Sequence, residues 1–168
     1  PSGNLIWSWN LCDAVDPFGY FSSPSEAADL GHSNTISSDV HGNFLISFRN
    51  FNQVWKIDGN TGQVIWKLGQ NGDFSLPANG IFYRQHTAHE NGENRLIIFD
   101  NGDGVNRSTS RVLELLVDEA NRSASVITSL ELPARLFSSK MGSAYRLKNG
   151  NFLVCASDPS TIVILNPV

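Results

Sequence analysis

Short segments of this 168-residue chain repeat, and the repeat limits the folds open to it more than any single residue does. "GNLIWSW" at residues 3–9 matches "GQVIWKL" at 62–68. "GNFLISF" at 42–48 matches "GNFLVCA" at 150–156, and "NRLIIFD" at 94–100 falls in the same slot. The unit returns about every 50 residues, the length of one blade of a β-propeller. One unit reads in full as four strands: "HSNTISSD" (32–39), "NFLISFRN" (43–50), "QVWKIDG" (53–59) and "GQVIWKLG" (62–69). "HGN" and "DGNTG" lie between them, with the Gly and Asn that tight hairpins need. The next unit runs "HTAHE", "RLIIFDN", "SRVLELLVDE" and "SASVITSLEL". The third runs "GSAYRLK", "NFLVCAS" and "STIVILN".

The fold class is therefore all-β: a propeller of four-stranded antiparallel blades, with about three blades present. The blade units fall at about 32–69, 82–132 and 141–167, with 3–10 an outer strand able to complete the last blade. Closed propellers need roughly four to eight blades, so the rest of the ring comes from the same precursor or from another chain. One short helix is expected over 23–30, "SPSEAADL", with Ser23 or Ser25 as its cap.

Composition excludes several classes. With 17% charged and 40% hydrophobic residues the chain is not a disordered tail. A net charge of −4 argues against a nucleic-acid partner. No apolar run approaches the roughly 20 residues of a membrane span. The start "PSGNLIW" suggests a processed or truncated product. Cys12 and Cys155 are far apart in sequence, and whether they pair stays open. "NRS" occurs at Asn106 and Asn121, both N-glycosylation patterns in turn-like segments. Together these favour a secreted or periplasmic protein. The segment "DNGDG" (100–104) lacks the spacing of a calcium loop and reads as a turn. No metal-ligand spacing is present, and no cofactor is called for.

The chemistry resides in "HSN", "SFRN" and "QHT". Inner strands line a propeller's channel, so His32 at the start of one and His86 at the start of the next should face the same mouth. Arg49, at the end of a neighbouring strand, returns toward them, and Arg111 opens a third strand. Imidazole can act as nucleophile or proton carrier near neutral pH. Guanidinium groups suit tetrahedral oxyanions. His41 lies in a turn, and alternation turns His89 away from His86.

In order along the chain, "GHSN", "SFRN", "IDGNTGQVIWKLG", "RQHT", "FDNG" and "SR" closely resemble the PAPS-independent arylsulfotransferase family, over roughly residues 30–155. The resemblance implies a six-bladed, exported propeller that moves a sulfuryl group from an aryl sulfate donor to a phenolic acceptor through a sulfohistidine. It implies that His86 is the residue sulfurylated, and that His32 and Arg49 bind sulfate oxygens and assist proton transfer. Asn34 and Arg111 match further, substrate-binding positions. The family site also uses a histidine from an earlier blade, which this chain does not carry. Two other readings compete. One is a non-catalytic propeller of the same descent that serves as a binding scaffold. The other is a quinoprotein-like propeller, which "DGNTGQVIW" also fits.

Overall fold

The computed structural model describes residues 3–16 and 29–167. Residues 23–28 of the expected helix, with Ser23 and Ser25, lie outside the described residues. One short helix, α1 (Leu11–Ala14), is capped by the Asn10 side chain, which accepts from the Cys12 amide.

Among the described residues eleven strands follow, gathered into three antiparallel sheets. The first is β1 (Ser33–Ser38), β2 (Phe44–Phe48), β3 (Gln53–Ile57) and β4 (Val64–Gly69), in that order. The second is β5 (His86–Glu90), β6 (Arg95–Asp100), β7 (Arg111–Asp118) and β8 (Ser123–Glu131). The third holds β9 (Ser143–Arg146), β10 (Phe152–Ala156) and β11 (Thr161–Leu165). These are propeller blades, each meandering outward from its first strand. Sharp hairpins make the meander possible. In "DGNTG", Asp58 accepts from the amides of Asn60 and Thr61, and Gly62 takes φ 73°, a conformation that costs residues with a Cβ.

Alternation along the strands builds the interior. Leu45, Val54, Trp66 and Leu68 of the first sheet meet Leu96, Ile98, Leu113 and Leu115 of the second. The other face of the second sheet, Ile97, Phe99 and Val112, meets Phe152, Val154 and Ala156 of the third. Most of these side chains are almost fully buried, and each such aliphatic or aromatic group contributes about 2 kcal/mol. Hydrogen bonds tie the inner strands in series. Asn34 Nδ2 donates to the Gln85 carbonyl, Thr35 Oγ1 accepts from the Thr87 amide, and Thr87 Oγ1 donates to the Gly142 carbonyl.

Residues 3–10 depart from expectation. They form no strand and do not join β11. Trp7 and Trp9 instead pack on the free face of the first sheet, their rings 4.7 Å from Phe44 and 6.2 Å from Phe48, and Trp9 Nε1 donates to the Gly62 carbonyl. The physical reason is that the two indoles find an apolar surface there, Ile46, Phe48 and Trp55, which they help to cover. Cys12 and Cys155 are free thiols.

Candidate functional site

His86 is the first residue of β5 and pairs with Phe99 of β6. It is 7% exposed. Its Nδ1 lies 2.9 Å from Asn101 Oδ1. The Asn101 amide cannot turn round, because its Nδ2 donates to the carbonyls of Ser138 (2.7 Å) and Met141 (2.8 Å). His86 Nδ1 is therefore the donor, and Nε2 carries the lone pair. That lone pair accepts from the Met141 amide at 3.1 Å. Met141 and Gly142 both take positive φ, 56° and 95°. A Cβ on Gly142 would meet the Phe99 ring at 2.4 Å, so this turn is shaped for glycine.

Burial pushes the His86 imidazole below its ordinary range. Its hydrogen bonds to Asn101 and the Arg84 backbone oppose this, while the positive charge of Arg49 and proximity to His32 add to it. The resting group is a neutral imidazole.

His32 precedes β1, with φ 48°. Its Nδ1 sits 2.7 and 2.9 Å from the two oxygens of Asp29, and its carbonyl accepts from the Arg49 amide at 3.2 Å. Arg49 follows β2 in a 3-10 turn, Arg49–Phe51. Its Nη2 donates to the Ser139 carbonyl at 3.3 Å, in the same loop that reaches His86, and its Nε is buried without a partner. Arg84 Nη1 donates to Asn50 Oδ1 at 3.0 Å, an oxygen Arg49 Nη1 also approaches at 3.5 Å. Burial and the neighbouring Arg84 charge both lower the Arg49 pKa, and Asp29 opposes them. His86 and Arg49 thus both touch the loop 138–142, with Arg84 joined to Arg49 through Asn50 and His32 through its own carbonyl. Asn34 adjoins them, its Nδ2 on the Gln85 carbonyl and its buried Oδ1 without a partner.

Arg111 stands apart. It is 2% exposed and its guanidinium is fully engaged: Nε with Asp100, Nη1 with the Asn79 carbonyl and Ser129 Oγ, Nη2 with the Ile81 carbonyl. It braces the second sheet against the segment before β5.

The two histidines do not occupy equivalent register. His86 lies opposite Phe99, which faces the third sheet. In β1 the residue opposite Ser47, whose hydroxyl faces the second sheet, is Thr35, three residues after His32. The bulge between Ser33 and Thr35 accounts for part of the offset. This explains why His86 is buried and His32 open to solvent.

Sequence reasoning missed Asp29, Arg84 and Asn101. Asn101 lies within the "FDNG" motif, and with "NRLIIFD" laid on "GNFLISF" it takes the slot of Arg49. A groove of about 750 Å³ runs beside His32 and Asn34, between Trp9, Leu11 and Phe48, but its lining includes neither His86 nor Arg49. A family model described as Arylsulfotransferase (ASST) matches residues 6–164. A search of curated proteins found no match.

Proposed function

The chain belongs to the arylsulfotransferase family, and from that premise we propose that it carries the centre of a sulfuryl transfer between an aryl sulfate and a phenol, with His86 as nucleophile. The observation that carries this reading is a buried imidazole whose Nε2 accepts from a loop that the Arg49 guanidinium also touches.

The sulfur of the aryl sulfate lies against Nε2 once the Met141 amide has given way. The lone pair attacks sulfur, the bond from sulfur to the aryl oxygen breaks, and His86 carries the sulfuryl group on Nε2. His32 delivers its proton from Nε2 to the departing aryl oxide, the Asp29 carboxylate holding Nδ1 and steadying the imidazole. Arg49, with Arg84 beside it, faces the sulfuryl oxygens, where fixed positive charge stabilises the transition state. In the return half, a phenol gives its proton to His32, its oxygen attacks sulfur, the bond from nitrogen to sulfur breaks, and neutral His86 is restored. Through both halves Nδ1–H stays on Asn101. Asn34 serves as a substrate-side amide. Arg111 serves the site only by bracing the scaffold. Two exposed sequons, Asn106 and Asn121, fit an exported protein.

A second reading rests on the same hydrogen bond. Because Met141 N–H caps the lone pair, the fold also suits a scaffold that no longer turns over. Incubation with 4-nitrophenyl sulfate and phenol decides between them. Release of nitrophenol, abolished in His86→Ala with the thermal midpoint kept, supports the transferase, as does a single sulfuryl group on His86 in digests of donor-treated protein. Turnover that survives His86→Ala removes His86 from the chemistry.

A further inference from the structure

We propose that Asn101 is a positioning residue that fixes the proton of His86 on Nδ1 and so makes Nε2 the attacking atom. The proposal rests on the sulfuryl-transfer reading for its consequence in rate, and on geometry alone for the tautomer. A neutral imidazole has one N–H and one lone pair, and what faces each nitrogen decides which is which. At His86 both faces are set. Asn101 is 0% exposed, and its two amide hydrogens are committed to the carbonyls of Ser138 and Met141. Oδ1 is the only atom left to face Nδ1, and it can only accept. On the far side the Met141 N–H can only donate. The same amide therefore orients the imidazole and holds the loop that covers its lone pair.

The loop has other anchors. Ser110 Oγ accepts from the Ser138 amide while its own proton goes to the Asn101 carbonyl, and Thr87 Oγ1 holds the Gly142 carbonyl. Loop position thus does not hang on Asn101 alone, whereas among the described contacts of the His86 side chain only Asn101 offers Nδ1 a side-chain acceptor. The Arg84 backbone also accepts from the imidazole, so losing Asn101 Oδ1 weakens the preference for the Nδ1 proton, while the loop keeps its other anchors.

The test uses the full chain with ¹⁵N-labelled histidine, the His86 signals being assigned by their loss in His86→Ala. At pH 8 the wild type should show the proton on Nδ1 and an unprotonated Nε2; a proton on Nε2 overturns the proposal at once. In Asn101→Leu, which fills the space but accepts no hydrogen bond, the two tautomers should mix. The rate of the nitrophenol burst should fall by about 100-fold, with KM for the donor little changed. In Asn101→Asp the tautomer should persist, while the added negative charge raises the imidazole pKa and carries the acid limb of kcat upward in pH. A purely structural role predicts neither the retained tautomer nor the moved limb. If Asn101→Leu does not fold, the wild-type tautomer and the aspartate variant still decide. If the tautomer responds as described but no burst occurs in the wild type, the assignment to Asn101 stands and the transferase reading falls. A burst in Asn101→Leu equal to that of the wild type has the opposite meaning.

Discussion

At the scale of the residue, the histidines govern how the protein responds to acid. His86 and His89 are both held below the ordinary imidazole value of 6.5, chiefly by burial. Their folded pKa values are depressed, so just below 6.5 the unfolded chain binds more protons than the folded one. Their contribution is thus complete above 6.5 and is lost as the pH falls through the depressed values. Urea midpoints should drop between pH 7.5 and 5.5, and His89→Gln should flatten that slope; a protein that gains stability over the interval contradicts the account. Carboxylates act in a lower window. Burial alone would raise Asp39, but hydrogen bonds from Lys56 and Asn43 outweigh it and hold the group at about 2. Its share is present above the ordinary aspartate value of 3.8 and disappears as the pH approaches 2. At this scale the sequence shows which residues carry reactive groups, because imidazole and guanidinium announce their chemistry by type. What stayed hidden was pairing. The charge of Arg111 is plain in the sequence, but its four partners come from the segment before β5, from β6 and from β8. Asp29 and Asn101 acquire meaning only when a turn brings them to an imidazole.

At the scale of the element, the strands were legible almost to the residue, since apolar alternation and Gly-Asn turns are local signals. The segment 3–10 was not. Its pattern is that of β4, but a strand exists only with a partner, and Trp7 and Trp9 pack on the face of the first sheet instead. Between sheets the contacts are specific as well as apolar. Lys56 of β3 reaches Asp39 at 2.9 Å and crosses to Glu119 of the second sheet at 2.7 Å. Lys56→Met should leave the buried Asp39 carboxylate without its cation, though still hydrogen-bonded by His41 and Asn43, and cost about 3 kcal/mol by denaturant titration; a loss under about 0.5 kcal/mol assigns the bridge no more weight than an exposed pair. Gly142→Ala should cost about 2 kcal/mol, since its φ of 95° and the Phe99 ring both oppose a Cβ. It should also expose Nε2 of His86, read as faster modification by a histidine-specific acylating reagent.

At the scale of the whole molecule, three blades stand in series, the middle one packed on both faces and the first covered on its outer face by the segment around Trp9. β11 carries no neighbour on its outer side among the described residues, and Ile162 and Ile164 are 72% and 61% exposed. An apolar edge of this kind invites pairing with other chains. The purified chain should associate with rising concentration in sedimentation runs, and Ile164→Lys should shift it toward monomer; an unchanged profile would clear this edge of responsibility. The repeat spacing made the blade count readable, because each blade is a local unit. The offset between His32 and His86 was not, because bulges alter register without altering the motif.

The imidazole at the start of β5 takes its acceptor from the end of β6 and its covering amide from the turn before β9. The surroundings of this imidazole are thus the property of a boundary between repeats. A rearrangement that moved one blade as a cassette would preserve every strand and yet separate this nitrogen from its cover, so the His86 pocket persists only where the second and third blades stay together.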